Sequence, residues 1–311
     1  MHNYDRWIFT AIQLVSTPTR RCGMSYSNEQ CHRQHAAVYI QKLGHNLHLP
    51  VVCVNTAVIF MHRFFMHHPL SDCEKAMPGR FFFIPIGAAA LFLASKVEDE
   101  PRKLEHFVNA IQMMERRPVL KVGSPEYKEA EQYLLDHEMT MLMSLGFDLH
   151  VTHPHKTIIT TAVALGAPKD LVQMAYFMGT DLNVLSTLAL QYSPDALSCL
   201  CIYLASKYCK WHLPTSSTDA DGNSWLSFAG LTEDKLISMS ANFWTAYKAT
   251  PVKIAKRTIF AKCHPVQGPS VFQQALKVTM WDRLFIRRRG IYLHFCCENT
   301  LLTSTTFKSK S

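Results

Sequence analysis

From Ser27 onward the apolar residues recur at intervals of three and four, the repeat of one helix face. The every-other-residue alternation of a half-buried strand is scarce. Ser27 with Gln30 resembles a capping box, and Ala36, Ala37, Ile40, Leu43 and Leu47 then form one apolar face. Pro50 suits the first turn of a second helix, where its missing N–H would be unpaired anyway. That helix turns Val54, Val58, Met61 and Phe65 inward. Gly87 to Val97 is apolar nearly all round, which predicts a central, buried helix. Pro101 opens a fourth helix with Leu104, Phe107, Val108, Ile111 and Met114 inward. Ser124-Pro125 starts a fifth that runs to Leu145, with Gly146 as the left-handed stop.

The plan then repeats. Leu91-Phe92-Leu93-Ala94-Ser95-Lys96 returns as Ile202-Tyr203-Leu204-Ala205-Ser206-Lys207, an apolar helical run closed by Ser-Lys in both copies. Such an echo predicts two helical modules in tandem. His153-Pro154-His155 reads as the linker between them. Helices of the second module are expected near Pro154–Leu165, Pro168–Leu182, Pro194–Cys209 and Thr232–Lys248, with a loop at Asp219-Ala220-Asp221-Gly222-Asn223. From about residue 264 to 311 no period is convincing, so that stretch is expected to be irregular.

Composition narrows the class. A length of 311 residues, 48% hydrophobic and 18% charged, suits a globular chain of two ordinary domains and excludes a disordered one. The net charge of +8 is spread over small clusters, Arg20-Arg21, Arg116-Arg117, Lys253/Lys256/Arg257 and Arg287-Arg288-Arg289, and argues only weakly for an acidic partner. Ten cysteines without a Cys-x-x-Cys pair read as reduced thiols of the cytosol or nucleus. The N-terminus lacks the build of a signal peptide, and the longest apolar stretch, Phe81 to Ala94, is too short and too broken by Pro85 and Gly87 to span a bilayer. No membrane partner is expected.

The residue that asks for an explanation is Lys96. It ends the most apolar helix, where an ammonium buried without a partner would cost several kcal/mol. Glu98, Asp99 and Glu100 are local sources of charge. Glu138, between Leu134 and Met141 on the fifth helix, has the same burial problem, and the economical solution is that Lys96 and Glu138 meet at one surface. Local chemistry leaves two accounts of such a meeting. One is an ordinary structural salt bridge. The other is a pair that offers hydrogen-bonding groups to another protein, flanked by the apolar anchors Phe92 and Phe147.

Several segments bear on that choice. They are Arg6-Trp7-Ile8-Phe9-Thr10, Thr17-Pro18-Thr19-Arg20-Arg21-Cys22-Gly23, Arg33-Gln34-His35-Ala36-Ala37, the run from Asn55 to His68, the run from Ala90 to His106, Ser144-Leu145-Gly146-Phe147-Asp148-Leu149 and His153-Pro154-His155. Over roughly residues 4 to 262, densely in the first module and thinly in the second, the chain resembles the cyclin family in its transcriptional cyclin T branch. The resemblance implies an all-α fold of two tandem five-helix cyclin boxes with a short, poorly ordered tail. Its divisions are an N-terminal segment 1–27, a first box 28–150, a second box 151–262 and a tail 263–311. It also implies a nuclear regulatory subunit with no chemistry, cofactor or small-molecule substrate of its own. Its partner would be a cyclin-dependent kinase of the positive transcription elongation factor b type, acting on the C-terminal repeats of RNA polymerase II. The kinase-contacting residues implied are Lys96, Glu138, Phe92 and Phe147, then Asp99 and Leu149.

Other features compete less well. Lys253, Lys256, Arg257 and Lys262 form a basic stretch. It reads as a solvated helix end, or as a docking patch for RNA or a regulatory protein, but lacks aromatics at base-stacking spacing. Among sixteen histidines, His137-Glu138-Met139-Thr140-Met141 lacks the second histidine of a zinc helix, and His150, His153 and His155 suit capping or solvent contact better than a metal. Two departures from the resemblance stand out: extra residues within 72–87, around Met77 to Phe83, and an unfamiliar tail. They motivate one alternative, a degenerate paralogue that activates nothing; the other alternative, a nucleic-acid-binding adaptor of transcription, has a related two-box architecture.

Overall fold

Eleven α-helices form among the residues that the computed structural model describes, which are 5–70, 83–213, 225–251 and 254. They are α1 (Ala11–Val15), α2 (Pro18–Arg21), α3 (Tyr26–Asn46), α4 (Val51–Phe64), α5 (Phe83–Val97), α6 (Leu104–Met114), α7 (Pro125–Ser144), α8 (His155–Ala164), α9 (Lys169–Leu185), α10 (Pro194–Tyr208) and α11 (Glu233–Lys248). Short 3-10 turns sit at Asp5–Trp7, Leu188–Leu190 and Ser227–Ala229, and no strand occurs among the described residues.

The centre of the first module is α5, which packs against α3, α4, α6 and α7. Its small residues make that possible. A Cβ on Gly87 would lie 3.1 Å from the Tyr39 ring and 3.3 Å from Ile40, so glycine lets α3 approach. Pro85 falls in the first turn of α5, where its missing N–H breaks no helical bond. In the second module α10 takes the same place, packed against α8, α9 and α11. The Ser-Lys echo is therefore structural. Ser95 Oγ donates to Phe92 O and Ser206 Oγ to Tyr203 O, each at 2.7 Å. Lys96 Nζ lies 4.0 Å from the Phe92 ring centre and Lys207 Nζ 5.1 Å from that of Tyr203.

Several expected boundaries move. The N-cap of α3 is Ser25, whose side chain accepts from Asn28 N, and not Ser27. The fourth helix starts at Leu104, three residues after Pro101, because Arg102 is drawn away to the carbonyls of Leu47 and His48. Helix α9 runs on to Leu185, past the expected Leu182, because Asn183 is buried within it. Four helices of the second module lie among the described residues; a fifth is not among them. The extra residues around Met77 to Phe82, the Asp219–Asn223 loop, and the tail 263–311 all lie outside the described residues.

His153-Pro154-His155 is more than a linker. His155 begins α8 and is buried, with Nε2 3.1 Å from Thr180 Oγ1. His153 Nε2 lies 2.8 Å from Thr56 Oγ1, which itself donates to Glu98 Oε1 at 2.7 Å. The modules also meet through Gln34, whose amide donates to Leu185 O and Thr250 Oγ1, and through His62, whose Nε2 donates to Asn183 O at 2.9 Å. One apolar core runs through both modules.

These histidines set an acid limit on the fold. Burial, then the Arg33 charge, pushes the His62 pKa down from 6.5 to about 3. Burial, then His155 and Arg63, takes His153 to about 3, and burial takes His155 to about 4. The unfolded chain therefore binds protons below pH 6.5 that the folded chain refuses, so stability is complete above 6.5 and falls as the pH drops toward 4. Thermal midpoints followed by circular dichroism should decline over that window, and His155→Gln should make the decline shallower. A flat profile between those limits would remove the assignment.

Candidate functional site

Glu138 points from α7 toward the C-terminal end of α5, where Lys96 occupies the last turn. The two meet as a forked ion pair, Lys96 Nζ donating to Glu138 Oε1 at 2.7 Å and to Oε2 at 2.9 Å. The pair is asymmetric: the Lys96 side chain is 44% exposed and that of Glu138 only 9%. An ammonium has three N–H donors, and the fork uses two. The third is available at a surface whose underside is already dry.

Phe92, one turn before Lys96, is the floor of that arrangement. It is buried, with the ammonium above it and the Phe107 ring edge-on at 4.9 Å. Phe92, expected to flank the pair as an apolar anchor, lies beneath the ammonium. Its ring fixes the height and direction of Lys96, because a cation over an aromatic face is held electrostatically.

Phe147 is the opposite case. It lies in the turn after α7 at 67% exposure with a φ of +58°, following Gly146 at +57°. A left-handed backbone costs an aromatic residue about 1–2 kcal/mol. The same left-handed φ recurs at His48, Asp99, Arg116 and Lys210 after other helices, and at Phe147 it presents a large apolar ring to solvent. The turn is pinned from behind. Trp7 Nε1 donates to Asp148 Oδ2 at 3.0 Å, and the Arg63 guanidinium stacks on the Trp7 ring at 4.8 Å. Leu149 is half-buried against the core. Asp99 is exposed, also left-handed at φ +54°, and closes α5 as Glu100 N returns to Ser95 O.

Sequence reasoning does not single out three further exposed apolar residues on α7. Leu135, Met139 and Met143 are all exposed and four apart, so they form a row along α7 on the flank next to Glu138. Their spacing is legible, but in the sequence the row merges with the core-facing Leu134 and Met141 into one apolar face. Lys253, Lys256, Arg257 and Lys262 lie outside the described residues. Among the described residues, no group of three or more His, Cys, Asp and Glu side chains could hold a metal ion, and no helix is long and apolar enough to cross a membrane.

Comparison with known proteins bears on what such a surface is for. Residues 9–150 match the family model of the cyclin N-terminal domain, and residues 153–246 that of the cyclin-T2-like C-terminal domain. Cyclin-T2 of Mus musculus is 36% identical over 256 residues, covering 81% of this chain and 34% of that protein. Cyclin-T1 of Homo sapiens is 34% identical over 259 residues, covering 82% and 34%. The chain thus spans about a third of the length of these relatives. In the yeast RNA polymerase II CTD kinase CTDK-1 complex, one chain superposes with a TM-score of 0.62 at 15% identity, over 88% of this chain and 83% of that one. The CAK complex of Chaetomium thermophilum gives 0.56 at 14%, over 93% and 94%. At such identities the likeness is one of fold.

Proposed function

The chain belongs to the cyclin family, and from that premise we propose that it is the regulatory subunit of a transcriptional cyclin-dependent kinase. The observation that carries the reading is the half-exposed Lys96 ammonium, held on a buried carboxylate with one donor to spare. A surface of that kind suits a backbone carbonyl at the end of a partner's helix. Leu135, Met139, Met143 and Phe147 supply apolar area around it. Charge at the centre with apolar and aromatic groups near it is how binding energy concentrates at interfaces.

The activation is a population shift. Phosphoryl transfer needs the kinase's C-helix held inward, its Glu paired with the strand Lys. A subunit that binds only the inward form raises that form's share by its differential affinity, with no catalytic group of its own. In this reading the first box, 28–150, carries the contact, and the second, 151–262, buttresses it. The substrate is the C-terminal repeat region of RNA polymerase II, in the manner of positive transcription elongation factor b, which places the work in the nucleus. The fold match to a subunit of an RNA polymerase II CTD kinase complex is consistent with that assignment.

The test is co-purification of the full chain with a transcriptional cyclin-dependent kinase, the partner being named by mass spectrometry. Phosphorylation of a repeat peptide is then measured with and without the chain. Activation supports the proposal. Binding without activation would mark a degenerate paralogue, and absence of any kinase would reject the reading.

A further inference from the structure

Among the described residues three methionines are exposed, Met113 on α6 and Met139 and Met143 on α7. The two on α7 are four residues apart, so they stand one above the other on one side of the helix. Leu135 extends the row by a further turn, and the three span about 12 Å of helix at 1.5 Å per residue. Met141, between the two, is wholly buried, so α7 carries two thioethers in solvent and one in the core. The outer two adjoin the ion pair. Met139 follows Glu138 directly in the chain, and Met143 lies one turn nearer Phe147.

A single exposed methionine calls for no account. Two of them in the apolar row beside Lys96 and Glu138 give that surface a reactivity that leucine would not. Thioether sulfur is oxidised by peroxides, and exposure decides which sulfurs are reached. Met139 and Met143 are 52% and 60% exposed, whereas Met61, Met141, Met178 and Met239 are closed off entirely. In the reaction a sulfur lone pair attacks one peroxide oxygen, and the S–O bond forms as the O–O bond breaks. The hydroxide that leaves takes the proton from the new S–OH and departs as water. Sulfur loses two electrons and hydrogen peroxide gains them. A flexible apolar side chain thereby becomes polar and chiral. In the free chain that change touches nothing in the core, to which neither sulfur belongs. Under a partner the sulfoxide oxygen has to give up its water, which is costly without a donor to meet it.

We infer that Met139 and Met143 are an oxidative modification site, at which conversion of the thioethers to sulfoxides by a peroxide keeps the chain from seating a kinase on Lys96. The inference rests on the kinase reading of that surface. Oxidation acts on the free chain, because a bound kinase covers both sulfurs, so the modification blocks assembly and spares a finished complex. Methionine sulfoxide reductases, one for each epimer, restore the thioethers and make the change a switch.

The test takes the full chain through dilute hydrogen peroxide and then through dithiothreitol, which returns reversibly oxidised cysteines, such as the exposed Cys22, to thiols. Binding to the co-purified transcriptional cyclin-dependent kinase is read by surface plasmon resonance. Peptide mass spectrometry should find one added oxygen on Met139 and Met143 before any on Met141. Kinase affinity should fall by roughly tenfold or more, with the circular dichroism unchanged, and should return after treatment with both reductases. Met139→Leu with Met143→Leu should keep after peroxide whatever affinity it had before, whereas Met113→Leu should lose affinity as the parent does. In the preformed complex both α7 sulfurs should oxidise more slowly than in the free chain. Equal binding of the parent before and after oxidation overturns the inference and leaves the kinase reading standing. So does a loss in the double leucine variant equal to the parent's, or an undiminished rate of oxidation at both sulfurs in the complex. A chain that binds no kinase before treatment rejects the kinase reading, and the inference with it.

Discussion

Lys96→Glu should abolish association with the proposed kinase partner while leaving the helical fold intact. The substitution sets a second carboxylate against Glu138, which is buried, and turns the one spare donor into an acceptor. Truncating one partner of a desolvated pair at an interface costs about 2–5 kcal/mol, and reversal adds repulsion, so affinity should fall by roughly a hundredfold or more. Exposure of the lysine lets the new side chain turn to solvent, but the buried Glu138 loses its partner, so the free chain should lose some stability while keeping its helices. Glu138→Lys should act alike. Surface plasmon resonance on the purified partner, with circular dichroism as the fold control, separates the outcomes. If both variants bind as the parent does, the pair is a structural brace and the site lies elsewhere.

Arg33→Met should be the most destabilising of the charge-removing substitutions. Arg33 is buried and forks onto Glu29 Oε1 through Nε at 3.0 Å and Nη2 at 2.9 Å. It also donates to His62 O at 3.1 Å and Phe65 O at 3.0 Å, which holds the end of α4 against α3. Its loss strands a buried carboxylate, leaving only the Thr17 hydroxyl bonded to Glu29. Breaking a buried pair on one side costs about 3–5 kcal/mol. At about 2–4 °C per kcal/mol for chains of this order, the midpoint should fall by roughly 10 °C. Adding Glu29→Gln should restore part of the loss, since the stranded charge is then gone. A drop near 2 °C, or a double variant no better than the single, would refute this account of the α3–α4 junction.

What the sequence reveals follows from which interactions are periodic. The α5 and α10 helices were legible because an apolar run closed by Ser-Lys occurs twice, and the folded chain repeats its serine bond and its cation over an aromatic ring. The contact between Lys96 and Glu138 was legible because each charge sat on an otherwise apolar face with no local remedy. Phe92 reads in the sequence as an apolar anchor beside the pair, but its place beneath the lysine one turn later is not legible there, because composition carries no sign of which ring a cation will roof. The inward role of His153 and His155 was hidden for a related reason. Their partners, Thr56 and Thr180, belong to different modules, and a Pro-flanked histidine pair has the local look of a surface turn. Helix starts shifted where a side chain was drawn off to a distant carbonyl, as at Arg102.

The seam between the repeats has one more consequence. Gln34, His62 and Asn55 reach from α3 and α4 to Leu185, Asn183 and Thr180 on α9, and the apolar interior is continuous across them. The duplicated halves have therefore surrendered their autonomy: neither retains a sealed exterior on the side where its sibling sits. Separated from its sibling, either half would bare apolar surface that the whole chain keeps covered, so a fragment encoding one half should be less stable than the intact pair.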